Sequence, residues 1–446
     1  MQPEINPKNY VMLLRFKIKN FLSFSDETVF DMFPNIKREK FSHHIYSDMA
    51  VPLLKQAAIY GANGSGKSNF IKAIAFLREF VIYDNFLNHI DLDISDCFFQ
   101  LTREKQKVIS FELEFFYKEK YYLYNASIDK KEINEKLSLS GLNKTDDKLI
   151  FERQGTNIHS PYMQNEESAK QLLSLNPQSS LLPLNQRYPV LIGSDANKVY
   201  DWFFKQLDII VINNAIPTLI YQMQQHPRLL KFANQVFENI GIGVNSLKIG
   251  NTLYEKWIAN PKNAAIFQDI RIKGKEPNFV FKMENNRNIY NVSVHDGVRS
   301  VQEFLFNQIG QSDYHKEMKI SSQSDGTVRL LTLIPALYGA MFLNRAVFID
   351  EIDNSIHPNL IFELLRFFGQ NKSNGQLIFT THTTSLLNQQ ELVRPDEIWL
   401  TEKSNGNTRM YSLNDFKLHH TLNIENGYLD GRYGGVPLIE EINAEV

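Results

Sequence analysis

Apolar and polar positions follow regular patterns in the first part of the chain. Residues 13–19 alternate between the two classes and residues 56–60 form an apolar run, and both patterns predict β-strands. Apolar residues recur at helical spacing over residues 69–81, which predicts a helix. Residues 108–128 alternate on both sides of a short polar turn, which predicts a β-hairpin.

Regular patterns return near Ser324 and continue towards the C-terminus. The predicted elements are a helix over residues 328–341, a strand over 346–349, a helix over 359–368, a strand over 376–380 and a helix near Ser385. Strands that alternate with helices favour a largely parallel sheet. The two ends of the chain together predict an α/β fold, with a mainly parallel sheet and an antiparallel lobe.

The middle of the chain has a different pattern, which indicates an insertion. Helical stretches at residues 196–207 and 229–240 are followed by short predicted strands near residues 267–272 and 278–283. We expect a mixed, largely helical insertion domain. The predicted organisation is a mobile leader over residues 1–11, an N-terminal lobe over 12–152, an insertion domain over 153–312 and a C-terminal lobe over 313–446.

Composition places the chain among ordinary globular proteins. Of its 446 residues, 43% are hydrophobic and 22% are charged. Lys and Arg number 48 and Asp and Glu number 50, so the chain has no overall basic field to attract nucleic acid. A single cysteine, Cys97, excludes an internal disulfide framework and suits a reducing compartment. No apolar run is long enough to span a membrane and the N-terminus lacks signal-peptide features, so we expect a soluble cytoplasmic protein.

A phosphate-binding loop is the most specific motif in the sequence. Residues 61–68 read GANGSGKS, which fits GxxxxGK[ST] and stands between a predicted strand and a predicted helix. Glycines let main-chain N–H groups face phosphate oxygens, and the helix adds its positive N-terminal end. We expect Lys67 to reach the β- and γ-phosphates of ATP and Ser68 to bind Mg²⁺. The predicted nucleotide-binding residues are Gly61, Asn63, Gly64, Ser65, Gly66, Lys67, Ser68 and Asn69.

Two later strands end in residues that would complete a hydrolytic site. The run AVFI at residues 346–349 precedes Asp350 and Glu351, placed like a Walker B motif. Asp350 is expected to hold Mg²⁺, directly or through water, and Glu351 to orient and deprotonate the attacking water. The next strand ends at His382, which could hydrogen-bond the γ-phosphate. The alternatives are an ordinary acidic strand end and a structural histidine, and the order of the motifs favours the catalytic interpretation of Lys67, Glu351 and His382.

This order of motifs resembles the ABC ATPase superfamily, and especially its branch related to RecF and SMC proteins. In that superfamily a signature loop, one helix before the Asp-Glu strand, reaches the γ-phosphate held by the opposite subunit. Ser324, Gly326 and Thr327 occupy that position here, although Asp325 and Thr327 depart from the usual residues. A plain helix N-cap is the alternative, and both roles are compatible. If the loop acts in trans, an isolated monomer should be nearly inactive.

Four fragments narrow the resemblance. They are RFKIKNFLSFSD at residues 15–26, IYGANGSGKSN at 59–69, DEIDNSIHP at 350–358 and GYLDGRYGGVPLI at 427–439. Together they resemble the AbiL and RloA-like ATPases of bacterial anti-phage and abortive-infection modules, to which the PARIS ATPase is similar. By this analogy Asp353 would lie in a loop that crosses to the partner subunit. Asn20 and Gln100 are candidates for the nucleobase contact and the glutamine-bearing loop.

The resemblance implies a homo-oligomeric ATPase that acts as scaffold, sensor and switch for a separate toxic effector. The residues after His382 leave little room for the Toprim nuclease domain of related OLD-family proteins, so a neighbouring gene is expected to encode the effector, commonly a nuclease. A phage-derived trigger would release it, and the insertion domain is the expected contact surface.

Two other functions fit parts of the pattern. One is a RecF-like, DNA-binding ATPase of repair or maintenance, for which the basic clusters at residues 130–131 and 144–148 are the local candidates. Near-neutral composition argues against it, since DNA binding needs a basic stripe and short charge clusters are usually solvated surface. The other is the ATPase subunit of a transporter, which the insertion and the altered signature loop disfavour.

Overall fold

The structure is a computed structural model that describes most of the chain in two compact units. The described residues are 10–89, 93–103, 107–163, 166–188, 192–211, 218–267, 278–282, 288–295, 297–371, 373–389, 392–418 and 423–436. The first unit comprises Met1–Ile212, Gly339–Asp353 and Ile361–Val446, and the second comprises Asn213–Tyr338 and Asn354–Leu360.

The elements before the second unit are eleven described strands and six described helices. The strands are β1 (Val11–Lys19), β2 (Thr28–Asp31), β3 (Ile45–Tyr46), β4 (Leu53–Leu54), β5 (Gln56–Gly61), β6 (Ile109–Tyr117), β7 (Lys120–Ile128), β8 (Ile133–Leu139), β9 (Lys148–Gln154), β10 (Asn157–His159) and β11 (Leu207–Ile210). The helices are α1 (Lys67–Ile82), α2 (Phe86–His89), α3 (Ile94–Cys97), α4 (Glu166–Leu175), α5 (Leu181–Arg187) and α6 (Ser194–Asp201).

The remaining elements continue in chain order. In the second unit they are α7 (Leu219–Gln225), α8 (Pro227–Ile240), β12 (Val244–Leu253), α9 (Tyr254–Ile258), α10 (Pro261–Phe267), β13 (Asn278–Lys282), β14 (Ile289–His295), β15 (Val298–Ile309) and β16 (His315–Lys319). Then follow α11 (Asp325–Phe342), β17 (Ala346–Ile349), α12 (Pro358–Gln370), β18 (Gln376–Thr380), β19 (Ile398–Ser404), β20 (Asn407–Ser412) and α13 (Ile424–Leu429).

The central sheet of the first unit is mainly parallel, as predicted. Its described strands run in the order β11-β17-β18-β5-β19-β20, with only β20 antiparallel to its neighbour. Every residue of β5, β17 and β18 is buried, which explains why their sequences are continuous apolar runs. The carboxyl ends of these parallel strands lie at one edge of the sheet, where loops carry functional residues in open α/β sheets.

The antiparallel lobe of the first unit is a second sheet with the described strand order β10-β9-β8-β7-β6-β1-β2. The predicted hairpin is confirmed: β6 and β7 pair through a tight turn in which Lys118 and Glu119 have φ values of 47° and 65°. Aromatic side chains fill the core beneath the sheet, and Trp202 stacks on Phe115 with ring centroids 4.3 Å apart.

This packing explains why the second unit begins later in the chain than the insertion expected from the sequence. The expected insertion begins at residue 153, but β9, β10 and α4 to α6 belong to the first unit, and the second unit begins at Asn213 and continues to Tyr338. The predicted helix over residues 196–207 is α6 followed by a single π turn and the strand β11. The aromatic residues of that turn join the core of the antiparallel lobe, so the chain has not left the first unit there.

The second unit contains more sheet than the expected largely helical insertion. Its described strands β12, β15, β14 and β13 form an antiparallel sheet, with β16 paired to β15. The amphipathic helix α8 packs on this sheet, and Phe237 contacts Phe306 edge to face at 5.8 Å. The strand predicted at 278–283 is confirmed as β13, whereas the one predicted at 267–272 falls almost wholly outside the described residues.

The remaining sequence predictions of secondary structure are largely confirmed. The predicted helices at 69–81, 229–240, 328–341 and 359–368 correspond to α1, α8, α11 and α12, and only the helix near Ser385 is a shorter 3-10 turn, Thr384–Asn388. No described helix has the length and apolar character required to cross a membrane.

Candidate nucleotide site

The phosphate loop joins β5 to α1 at the carboxyl edge of the parallel sheet. Gly64 and Gly66 have φ values of 76° and 114°, a left-handed conformation that glycine adopts without strain. Gly66 stands directly before the 16-residue helix α1, so the positive end of that helix points into the loop. Asn63 and Gly64 are exposed at the tip of the loop, where a ligand can reach them.

The β19–β20 hairpin fixes the shape of this loop from one side. Thr408 Oγ1 donates a hydrogen bond to the carbonyl of Ser65 at 2.8 Å and lies 2.7 Å from Ser23 Oγ. A Cβ at Gly66 would come within 2.9 Å of the Thr408 Cβ, so only glycine fits at Gly66. Thr401 Oγ1 donates to the carbonyl of Tyr60 at 3.0 Å and lies 2.6 Å from Ser65 Oγ.

Lys67 is buried in the loop with its ammonium group directed at main-chain carbonyls. Its Nζ donates to Gly61 O at 2.7 Å and to Ala62 O at 3.1 Å. Burial lowers the pKa of Lys67 to about 8, and the carboxylates of Glu351, Asp350 and Asp353 oppose this shift. A phosphate group would supply the negative charge that this cation lacks in the loop.

Ser68 and Asp350 meet at the start of α1 and the end of β17. Ser68 Oγ donates to Asp350 Oδ1 at 3.2 Å, and Thr380 Oγ1 donates to the same carboxylate oxygen at 2.7 Å. One hydroxyl and one buried carboxylate beside a phosphate loop fit the way Mg²⁺ is held in nucleotide sites, by few protein ligands together with phosphates and water. The residues present therefore fit a magnesium ion.

Glu351 lies beside His382 across the ends of the two neighbouring strands β17 and β18. His382 Nε2 is 4.0 Å from Glu351 Oε1, and both side chains are partly exposed. Glu351 has a φ of 48°, an unusual value for a residue with a side chain. Its main-chain N–H donates to Thr380 Oγ1 at 2.7 Å, which holds this strained conformation.

Asp353 supports the chain around His382. Its Oδ2 accepts the main-chain N–H of His382 at 2.8 Å and the hydroxyl of Thr383 at 2.9 Å. Its other carboxylate oxygen is buried and has no hydrogen-bond partner among the described residues. In this structure Asp353 thus positions His382 within its own chain.

Asn69, Asn20 and Gln100 are bound to neighbouring structure. Asn69 Nδ2 donates to Ser23 Oγ at 2.8 Å, which ties α1 to the loop after β1. Asn20 Nδ2 donates to the carbonyl of Val108, and Asn20 Oδ1 accepts the N–H of Phe99. Gln100 Nε2 donates to the carbonyls of Ser95 and Phe98. These bonds give Asn20 and Gln100 a structural role in holding their loops.

The signature-like residues belong to the second unit, where they form a helix start. Ser324 Oγ accepts the main-chain N–H of Thr327 at 3.2 Å and lies 2.9 Å from Thr327 Oγ1, so Ser324 caps α11. A Cβ at Gly326 would come within 2.7 Å of the carbonyl oxygen of Ser355, and this close approach requires glycine. The N-cap predicted as an alternative is present.

Sequence reasoning did not identify the threonines that hold the site together. Thr401 and Thr408 bond to Ser65 in the phosphate loop, and Thr380 bonds to the carboxylate of Asp350 at the end of β17. Threonine is common in strands, so a single threonine at a strand end gives no distinct signal in one sequence. Thr401 lies opposite Gly61 in the pairing of β19 with β5. This position could have identified Thr401 as a site residue, but it is known only once the order of strands in the sheet is known.

Three solved structures with distant similarity are SMC head domains. The SMC head bound to the C-winged helix domain of ScpA is 14% identical, with 90% of this chain and 99% of that chain covered and a TM-score of 0.47. The SMC head domain from Thermotoga maritima is 13% identical, with 91% of this chain and 99% of that chain covered and a TM-score of 0.41. The third structure is the SMC head with an extended coiled coil bound to the C-terminal domain of ScpA, derived from Pyrococcus furiosus. It is 12% identical, with 91% of this chain and 97% of that chain covered and a TM-score of 0.44. No curated protein sequence matches the chain.

A family model described as "AAA domain, putative AbiEii toxin, Type IV TA system" matches residues 57–388. The matched range begins in β5, includes the phosphate loop and the Asp-Glu strand, and ends after His382. Its span is well over half of the chain. The chain therefore belongs to this family, AAA_21, as a P-loop protein with an AAA domain.

Proposed function

We propose that this protein binds and hydrolyses ATP with Mg²⁺, and that it acts as an oligomeric scaffold, sensor and switch for a separate toxic effector in anti-phage defence. The observation that supports the ATPase activity is the meeting of Lys67, Ser68, Asp350, Glu351 and His382 at one edge of the parallel sheet. In-line phosphoryl transfer needs charge neutralisation and a positioned nucleophile, and these residue types supply both.

Each of these side chains has a distinct task in the proposed reaction. Lys67 exchanges its bonds to the loop carbonyls for phosphate oxygens, and Ser68 and Asp350 hold the Mg²⁺. When bound, the ion neutralises charge on the phosphates. Glu351 is the general base for the attacking water. His382, across from Glu351, donates a hydrogen bond to the γ-phosphate and thereby reports its presence.

The proposed hydrolysis requires two subunits. Ser324, Gly326 and Thr327 form the start of the 18-residue helix α11, whose N-terminal end suits a phosphate group. We assign this loop to the γ-phosphate held by a partner subunit. An isolated subunit would then lack part of the charge stabilisation and hydrolyse ATP slowly.

The defence role rests on the family to which the chain belongs. Its description names a putative toxin and a Type IV toxin–antitoxin system, which points to a module of more than one protein. The second unit, Asn213–Tyr338 with Asn354–Leu360, is the proposed contact surface for the effector. The effector is proposed to be a nuclease encoded nearby, and its release to follow a phage-derived trigger.

The test is native mass spectrometry of the affinity-purified protein, expressed from its own locus together with its neighbours. Wild type and Glu351→Gln are compared with and without MgATP, and the exposed Glu363→Gln serves as a matched control. We expect an oligomer that carries a second, locus-encoded protein. A lone monomer that dimerises with ATP and then binds DNA would overturn the scaffold role and favour a RecF-like DNA-maintenance ATPase.

The same variants test hydrolysis separately. Removal of the general base is expected to lower kcat by about 100-fold or more, while ATP binding persists. Phosphate release and nucleotide affinity are measured on the same preparations. Wild-type turnover in Glu351→Gln would contradict the role of Glu351, whatever the fate of the effector.

A further inference from the structure

Helix α13 lies against the 3-10 turn Thr384–Asn388, which directly follows Thr383. Residues 382–384 are called the His382 segment. Glu425, in the first turn of α13, accepts a hydrogen bond from Thr384 Oγ1 at 3.0 Å through one carboxylate oxygen. Its other oxygen accepts a hydrogen bond from the side-chain amide of Asn388. One carboxylate therefore binds both ends of this turn.

A second contact joins α13 to the same segment through aromatic rings. Tyr428 meets the ring of Tyr60 edge to face, with centroids 6.1 Å apart, and Tyr60 lies in β5 directly before the phosphate loop. The hydroxyl of Tyr60 donates to the carbonyl of Thr383 at 3.4 Å. Both tyrosines are buried, so the contact has a defined geometry.

The segment is thus held by carboxylates from two sides. Asp353, after the Asp-Glu strand, binds the N–H of His382 and the hydroxyl of Thr383, while Glu425 binds the hydroxyl of Thr384. Three consecutive residues are fixed by charge-assisted hydrogen bonds, which are the stronger class. Of these two carboxylates, Glu425 is the one that belongs to α13 in the C-terminal segment.

The residues that follow α13 pack back on this helix. The hydroxyl of Tyr428 donates to Gly435 O at 3.0 Å, and that of Tyr411 donates to Tyr433 O at 2.8 Å. A Cβ at Gly427 would come within 2.9 Å of the Tyr433 ring, so Gly427 permits Tyr433 to pack closely on α13. These contacts hold the residues after α13 against the helix that carries Glu425.

From these contacts we infer that Glu425 is a positioning residue for His382 and that α13 couples the C-terminal segment to the nucleotide site. The inference deepens the proposed function and rests on it, since it takes His382 as the group that contacts the γ-phosphate. Glu425 itself touches neither nucleotide nor water in this scheme. Its loss should disturb the chemical step, because a displaced histidine misses the γ-phosphate, and should leave the phosphate loop unchanged.

The experiment compares Glu425→Gln and Thr384→Val with Asp430→Asn, an exposed carboxylate at the end of the same helix. We expect the first two to lower kcat about tenfold and to leave the ATP dissociation constant within about twofold. The control should behave as wild type, because exposed ion pairs contribute little. Thermal melting of each full-length variant shows that the fold is retained.

A double variant separates positioning from a merely structural role. In the His382→Ala background, Glu425→Gln should cause no further loss of kcat, because the two residues act in one pathway. If Glu425→Gln and Thr384→Val keep wild-type kcat while His382→Ala loses it, the inference fails and the role of His382 stands. If His382→Ala itself keeps wild-type kcat, the proposed role of His382 fails first. A further loss in the double variant would make Glu425 a structural residue only.

Discussion

The hydroxyl of Thr380 donates a hydrogen bond to Asp350 Oδ1 at 2.7 Å. The same hydroxyl oxygen accepts the main-chain N–H of Glu351 at 2.7 Å. This arrangement is available because β17 and β18 are parallel, with Ile349 paired to Phe379, so Thr380 stands beside Asp350. One buried side chain therefore positions the proposed magnesium ligand and the proposed general base together.

Thr380→Val should disturb the positions of both Asp350 and Glu351 while keeping the volume of the side chain. The variant loses a hydrogen bond to a charged group and leaves the N–H of Glu351 without its acceptor, so we expect ATP turnover to fall about tenfold or more. Steady-state ATPase measurements at varied Mg²⁺ provide the test. Thr380→Ser keeps the hydroxyl and should retain nearly wild-type turnover; equal loss in both variants would assign the effect to packing instead.

The lowered pKa of Lys67 predicts that ATP binding depends on pH. Burial lowers the pKa of Lys67 to about 8 in the free protein, while bound phosphates favour its charged form. ATP affinity should therefore fall as pH rises above about 8, and binding at that pH should take up protons. Isothermal titration in buffers of different ionisation enthalpy measures this uptake. Proton release, or constant affinity from pH 7 to 9.5, would contradict the assignment.

The same pKa predicts the effect of Lys67→Met on stability. The folded state binds this proton less tightly than the unfolded chain, so the charged Lys67 destabilises the fold below pH 8, and this cost disappears as pH rises from 8 towards the ordinary lysine value. Lys67→Met should raise the Tm of the free protein at pH 7 and abolish ATP binding. The difference in Tm should shrink as pH is raised above 8; a constant or growing difference would show another cause.

Substitutions of Thr408 test whether the β19–β20 hairpin shapes the phosphate loop. Thr408→Val removes the hydrogen bond to Ser65 O and the contact with Ser23 Oγ, so we expect the ATP dissociation constant to rise about tenfold. Fluorescent-nucleotide titration measures the change, with circular dichroism to verify folding. Thr408→Ser, which keeps the hydroxyl, should bind ATP within about twofold of wild type; a Val variant that binds normally would show that the loop holds its own shape.

Mixing two inactive variants tests whether Ser324, Gly326 and Thr327 act in trans. Lys67→Ala removes the phosphate contact of one subunit, and Ser324→Asp adds a negative charge at the start of α11 in the other, at an exposed position where aspartate can still cap the helix. Random pairing leaves half of the dimers mixed, each with one intact composite site, so about a quarter of wild-type activity should return. ATPase activity that stays at the level of the separate variants would place the whole site within one chain.

Several elements and motifs were readable without the structure because they depend on local chemistry. Continuous apolar runs predicted β5, β17 and β18, since strands buried on both faces admit few polar residues. The phosphate loop was readable because its glycines and lysine meet a backbone requirement within eight consecutive residues. The hairpin β6–β7 was readable from alternation around a polar turn.

Other features depend on residues far apart in sequence that the fold brings together. Thr401 and Thr408 reach the phosphate loop because β19 pairs with β5, and nothing in either local sequence specifies that neighbour. Glu425 meets Thr384 because α13 packs against the 3-10 turn Thr384–Asn388, which the local sequence does not specify either. The boundary of the second unit was misplaced because the helices after β10 resemble those of an insertion, while their aromatic residues pack into the antiparallel lobe.

Local sequence thus determined the strands, the main helices and the chemistry of the individual motifs, because spacing and residue type carry that information. The tertiary structure decided which side chains support those motifs, where the second unit begins and which carboxylates surround His382. The physical reason is that hydrogen bonds between distant segments follow from sheet order and packing. Those depend on the free energy of the whole fold and not on any single stretch of sequence.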